Sequence, residues 1–148
     1  HRLLLITQAG MAAQQALAEQ ACLELKVHTI IEEEIFYPAC RGQIDEADLN
    51  EAYVEHDAAK VLINDIESSD ASADFYDAKV TVLSEEIKHH VHEEEAPSEG
   101  MFAQCRRTDV DLVALRDAML ARKQELLSRA ENGGLPMAKP HAVRLVAA

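Results

Sequence analysis

The stretch "EEIKHHVHEEE", residues 85–95, sets three histidines and five acidic residues into eleven positions with no glycine or proline among them. Such an unbroken run reads as helix, and the fold turns on whether all its polar groups face water or some face inward. At 100° per residue, with His90 as origin, Val80, Leu83, Ile87 and Glu94 fall within roughly 80° on one side. His90 and Glu94 therefore share the apolar stripe of a helix running from about Asp74 to Glu95. His89 and His92 point roughly 150° from the centre of that stripe and Glu93 and Glu95 roughly 100° from it, toward water or the stripe's edge. The "APSEG" break at 96–100 leaves Glu93 and Glu95 open as alternatives to Glu94.

The same pattern recurs upstream. A helix from about Ala12 to Pro38 carries Leu17, Ala21, Leu25, His28, Glu32 and Ile35 on one face, within about 80°. His28 and Glu32 thus repeat the inward His-x-x-x-Glu pair. A third helix, Glu46 to Glu67, lines its inner face with Leu49, Ala52, His56 and Ile63, and the residue one turn after His56 is Lys60. A short first segment, about residues 1–9, ends near Gly10. "PACRGQ" and "SSDASAD" supply the intervening turns, the latter rich in the Ser and Asp that cap helices. After "APSEG", "RRTDVDLVALRDAMLARKQELLSRAENGG" reads as a further helix, with Thr108 and Asp111 as a capping pair and Gly133 near its stop. Ile30 points away from the inner stripe and is free to cover this helix or a second subunit. Nothing reads as a strand.

Short loops between long amphipathic helices favour antiparallel neighbours, so the expected fold is all-α, an up-down-up-down four-helix bundle with an additional C-terminal helix. The expected organisation is a bundle over 1–105, the extra helix over 106–131 packed on or extending it, and a loosely ordered tail over 132–148. A chain of 148 residues is long enough for one domain with a single core. Its 27 acidic against 14 basic residues give a net charge of −13, which speaks against binding a phosphate backbone, so no nucleic-acid partner is expected. No run approaches the ~18 apolar residues of a membrane span, and "HRLLLIT" is too short for a signal-peptide core, so no membrane association and a cytoplasmic location are expected. Cys22, Cys40 and Cys105 are odd in number, distant in sequence and without a CxxC. They read as buried reduced thiols rather than a disulfide framework or a zinc knuckle.

One inward histidine is ordinarily a hydrogen-bonded core residue. Two inward carboxylates, each beside an inward histidine, are different, because a buried ionised carboxylate is costly unless paired or metal-bound. The intervals from His1 to His28, His28 to His56 and His56 to His90 are 27, 28 and 34 residues, and each predicted turn falls near the middle of its interval. In an antiparallel bundle this puts all four histidines at one height, away from the bundle ends. Four imidazoles and two carboxylates without thiolate suit two first-row metal ions bridged by the carboxylates, and favour iron over a structural zinc. Two six-coordinate irons need about twelve bonds, of which the histidines supply about four, two bridging glutamates about four and an oxo or hydroxo bridge about two. Two positions are then open for water or a small oxidant.

The segments "VHTIIEEEIFYPA" (27–39), "EHDAAKVLI" (55–63) and "IKHHVHEEE" (87–95) followed by "GMF" resemble the bacterial hemerythrin-like proteins with an HHE cation-binding domain. The resemblance covers about residues 1–105, and "LVALRDAMLARKQELL" is similar to the extra C-terminal helix common in these proteins. It implies a non-haem di-iron site, two oxo- or hydroxo-bridged iron ions, with His28, Glu32, His56, His90 and Glu94 as ligands and His1, from "HR" at 1–2, as the first-helix histidine. The invertebrate oxygen-carrier hemerythrins bear His-x-x-x-His on the third helix, where this chain has Lys60. Either one iron is a ligand short, or Tyr53, on the same face, stands in or donates a hydrogen bond; simple reversible O2 carriage is therefore not implied. Lys60 and Tyr53 also have plainer readings, as a snorkelling side chain and as packing with one hydrogen bond. Glu33 and Glu34 read as part of a solvated run.

The resulting expectation is a di-iron protein, a monomer or weak homo-oligomer, that binds O2 or another small oxidant for sensing, storage or detoxification. An enzyme acting on peroxide, NO or Fe(II) is the first alternative, and a structural bundle holding zinc or no metal the second.

Overall fold

The computed structural model of the chain describes residues 10–146, and all its regular elements are helical. His1 and the rest of the expected first helix lie outside the described residues. Helix α1 (Met11–Ile31) continues without a break through a widened turn, Glu32–Phe36, into a short α2 (Tyr37–Cys40). The widened turn has i→i+5 geometry, and a cause stands just after it. Pro38 has no N–H to donate and its ring crowds the carbonyl four residues back, so loosening the preceding turn relieves the clash.

Helix α3 (Glu46–Glu67) starts where the Asp45 carboxylate accepts the Asp48 N–H at 3.0 Å, with Glu46 and Asp48 favouring the positive end of the helix. Helix α4 (Tyr76–Glu95) is entered through Phe75, which has a left-handed backbone at φ 66°. "APSEG" closes α4 tightly. A Cβ on Gly100 would lie 2.6 Å from the Ala96 nitrogen and oxygen and from the Glu94 carbonyl, so only glycine fits there. Two helices follow, α5 (Met101–Arg106) and α6 (Leu112–Glu131). The N-cap of α6 is Asp111, which accepts from the Ala114 N–H at 3.0 Å. Thr108, expected as the cap three residues earlier, instead donates to the Cys105 carbonyl within the turn.

Helix α3 packs against both α1 and α4, and α6 lies on α1 and the widened turn. The buried line of α1 is rotated from the expected one, because α1 faces both α3 and α6. Ala18, Cys22, Val27 and Ile31 are buried while Leu17 is 48% exposed. Ile30, partly buried, packs against the cluster of Val27, Ile31 and Leu126 of α6, so it covers the extra helix as one of its two expected roles has it. Two further apolar clusters form. One joins Cys22, Ile63, Ile66, Tyr76 and Leu83; the other joins Phe36, Tyr37, Cys40, Leu49, Tyr53, Met101 and Cys105. All three cysteines are free and buried, and Cys40 and Cys105, distant in sequence, meet with sulfurs 3.0 Å apart. Between the two clusters, at the level of His56 and His90, lies a polar layer.

The tail expected to be loosely ordered has no helix or strand in its described part, yet it is tied along α3. Lys26 donates to the Pro136 carbonyl, Asn64 exchanges two hydrogen bonds with Ala138, and the buried Asp57 carboxylate accepts the N–H groups of His141, Ala142 and Val143 at 2.7–2.8 Å. Those three N–H bonds outweigh the upward push of burial and hold Asp57 below the usual carboxylate range. No helix among the described residues is long and apolar enough to cross a membrane.

Candidate metal centre

In the polar layer, three histidines from three helices turn the same ring nitrogen toward one point. Nε2 of His28 on α1, His56 on α3 and His90 on α4 lie 2.7, 3.1 and 3.4 Å from a single oxygen, Glu32 Oε1. His90 Nε2 is also 2.6 Å from Glu94 Oε1, and the His56 and His90 Nε2 atoms are 3.1 Å apart. One ligand atom from each of His28, Glu32, His56 and His90 falls within 4.8 Å of all the others. Glu32, His56, His90 and Glu94 are at most 2% exposed, while the His28 side chain is 39% exposed.

The other ring nitrogens fix the tautomers. His56 Nδ1 lies 2.9 Å from Glu33 Oε2, and His90 Nδ1 lies 3.1 Å from Glu55 Oε1. An ionised carboxylate only accepts, so each Nδ1 carries a hydrogen, and in the neutral ring each Nε2 offers its lone pair to the common point. Lone pairs that converge with two carboxylates repel one another unless protons or a cation stand between them. One buried oxygen here, Glu94 Oε2, has no hydrogen-bond partner among the described residues, and His28 Nε2 lies between Glu32 and Glu94, 2.7 and 4.0 Å from an oxygen of each. The nitrogen and oxygen donors, the orphaned Glu94 oxygen and the carboxylates behind the two rings fit a metal ion.

Protonation in the metal-free layer follows the same geometry. Burial alone would raise Glu32, but hydrogen bonds from His28, His56 and His90 outweigh it and hold its carboxyl well below the ordinary range. Burial alone would lower His56 and His90; their carboxylate partners reverse that, raising His56 and pushing His90 up to about 11. Glu94, buried and close to Glu32, is pushed up to about 7. Without metal, protons occupy the place a cation would take.

His28, Glu32, His56 and His90 thus come together as the wheel places them, and Glu94 joins through His90. Among the alternatives at the end of α4, Glu94 is buried, Glu93 half-buried and Glu95 exposed. His89 and His92 face out. Lys60 is not at the cluster. Its ammonium lies 2.8 Å from Glu33 Oε1 and donates to the Lys139 carbonyl, so it stands behind His56 through Glu33. Tyr53 is also elsewhere, stacked on His141 with ring centroids 4.4 Å apart and edge-on to Tyr37. The phenol at the cluster belongs to Tyr37, whose hydroxyl is 3.2 Å from Glu32 Oε1, 3.1 Å from His56 Nε2 and 3.4 Å from His90 Nε2. On an ideal helix Tyr37 would lie roughly 140° from Glu32. The widened turn brings it back over that residue and displaces Ile35, expected inside, to a half-buried position. Burial and the charges of Glu32 and Glu94 raise the Tyr37 phenol far above its ordinary pKa, so it keeps its proton. Glu33 is not the solvated residue its place in "EEE" suggests, since His56 and Lys60 hold it; Glu34 is exposed and pairs with Arg122.

A family model described as the hemerythrin HHE cation binding domain matches residues 2–104. The chain belongs to the hemerythrin HHE family. Comparison with curated proteins and with solved structures finds no match. The matched span takes in the whole described cluster, and an HHE domain with this His/Glu set is a metal-binding domain. The second-sphere residues Glu33 and Glu55 and the phenol of Tyr37 are what reading the sequence missed. The pattern held one usable signal, a lysine one turn after His56 that faces the acidic run of the neighbouring helix.

Proposed function

We propose that this HHE domain holds two iron ions and binds O2 or a related small oxidant, for sensing, storage or detoxification. The observation that carries the reading is the convergence of three lone-pair nitrogens on Glu32 and Glu94, with two of the rings held from behind by carboxylates. His28, Glu32, His56, His90 and Glu94 would hold the ions, and His1 is the proposed fourth histidine. When bound, ferrous iron supplies the electrons that a small oxidant accepts. Glu33 and Glu55 orient His56 and His90 and keep their Nδ1 protons in place. The apolar clusters on either side help bury Glu32, His56, His90 and Glu94, while His28 keeps a partly exposed edge. Tyr37 holds a proton at a hydroxyl 3.1–3.4 Å from the ligand nitrogens, in position to donate to a guest that reaches the cluster.

That phenol favours one further reading, an enzyme that turns over peroxide, since turnover needs a proton source beside the metal. Loading the metal-free protein anaerobically with Fe(II), then admitting air, tests the proposal. Two irons per chain and a new charge-transfer absorption band in air are expected; fewer than one iron per chain and no band would sink it. Steady-state assays with peroxide, NO and Fe(II) separate binding from turnover.

A further inference from the structure

The inward half of "HHVHEEE" belongs to the cluster, and the outward half forms an arrangement of its own. His89 Nε2 lies 3.0 Å from Glu93 Oε1 and 3.5 Å from Glu55 Oε2. The other oxygen of Glu55 is the one that holds His90 Nδ1, at 3.1 Å. A single carboxylate therefore touches a buried histidine with one oxygen and an exposed one with the other. One ligand atom each from Glu55, His89 and Glu93 lies within 4.8 Å of the others, a spacing that suits one cation.

Beside these residues a cavity of about 280 Å³ leads inward, lined by six carboxylates, Asp48, Glu51, Glu55, Glu93, Glu94 and Glu99, and, among the described residues, by no lysine or arginine. At its inner end are His90 and Glu94, each 2% exposed. Glu94 keeps Oε1 on His90 Nε2, while its Oε2 is buried without a hydrogen-bond partner among the described residues. A buried, unpartnered carboxylate oxygen in an acidic cavity is a ligand atom awaiting a cation. A concave surface of one sign concentrates counter-ions and raises their rate of capture.

We infer that Glu55, His89 and Glu93 form a second, solvent-accessible site for a divalent cation, and that the acidic cavity passes the cation from there to Glu94 and the inner cluster. The outer site stands on its own geometry; the passage inward rests on the function proposed above. Mixed carboxylate and imidazole ligation from exposed side chains makes it a weaker, more readily exchanging site than the buried one. Such an arrangement gives metal a path into a layer whose ligands on α3 and α4 are closed to solvent.

The test uses Mn(II) and the loss of its free-ion electron paramagnetic resonance signal on binding. The Glu32→Ala variant, which disables the inner cluster, is expected to retain one weakly bound Mn(II), and adding His89→Ala and Glu93→Gln is expected to remove it. With Glu32 intact, His89→Ala/Glu93→Gln is expected to reach wild-type inner metal content but to fill about tenfold more slowly at low ionic strength. Glu34→Gln, which removes a distant charge, should fill at the wild-type rate. All substituted side chains except Glu32 are partly or largely exposed, and circular dichroism of each variant checks that it folds. Weak binding that survives loss of His89 and Glu93 would overturn the outer site. Filling at the wild-type rate would overturn the passage. An inner cluster that takes no metal in any variant would instead overturn the function proposed above, with the outer site still read from the weak Mn(II) alone.

Discussion

His56 and Ile63 stand two turns apart on one face of α3 and are equally withdrawn from water, 1% and 0% exposed, yet their surroundings have opposite chemistry. Ile63 lies among Cys22, Ile66, Tyr76 and Leu83, where burying each apolar side chain contributes roughly 1.5–3 kcal/mol. His56 lies among Glu32, Glu33, His90 and Tyr37, where burial opposes folding unless each polar group finds a partner. The apolar layers hold the bundle together. The polar layer is costly to bury and is organised around what it binds, so substitutions in the two layers should separate stability from metal binding.

Ile63→Ala should have the largest effect on stability, a loss of about 2–5 kcal/mol in chemical unfolding. The loss should be the same with and without metal, because Ile63 belongs to the apolar cluster and not to the polar layer. Gly100→Ala should join the two behaviours. Its Cβ would meet the backbone of Ala96 and Glu94 at 2.6 Å, costing about 1–3 kcal/mol as an overpacked site. Displacing Glu94 should also weaken metal binding, which calorimetric titration would read. Glu33→Gln leaves the apolar layers untouched and removes the carboxylate behind His56. It should reduce metal affinity by about 10–100-fold, and it should also lower metal-free stability, because buried His56 and Lys60 both lose a partner.

The smallest effect is a pH dependence of opposite sign in the two states of the polar layer. In the metal-free protein His90 is raised from 6.5 to about 11 and Glu94 from 4.5 to about 7. The folded chain then holds more protons than the unfolded one, for Glu94 between those two values and for His90 above 6.5. Metal-free stability should therefore fall as pH rises, from Glu94 between about pH 4.5 and 7 and from His90 between about 6.5 and 11. Metal competes with those same protons, so its affinity should rise across this range. Denaturant midpoints at pH 6 and 8, with and without metal, compare the two trends. A metal-free midpoint that rises between those values would count against this protonation scheme.

Much of this contrast was legible in the sequence because α3 and α4 are regular. On them the 100° step placed His56, Ile63, His90 and Glu94 inside and His89 and His92 outside. The histidine intervals then set the three described histidines at one height. Legibility ended where helices depart from regularity or where a partner comes from another element. Tyr37 reaches the cluster only because the turn before Pro38 is widened, which an ideal wheel excludes. Glu33 and Glu55 are polar residues near helix edges, and only the cross-helix contact shows that they hold His56 and His90. The tail has no periodicity to read. On the wheel Asp57 lies about 100° from His56, at the edge of the inner stripe, so nothing there announces that its carboxylate takes three N–H groups from residues 141–143.

The most direct test of the polar layer's purpose is thermal unfolding of the wild-type chain and of Glu32→Ala under anaerobic conditions, with and without Fe(II). A ligand that binds only the folded state at 100 times its dissociation constant stabilises by about 2.7 kcal/mol. The wild type is therefore expected to melt several degrees higher with Fe(II), and Glu32→Ala to gain only the small increment that a weak outer site supplies. A wild-type melting temperature that Fe(II) leaves unchanged, or a Glu32→Ala variant that gains as much as the wild type, would contradict the assignment of this layer as the metal centre.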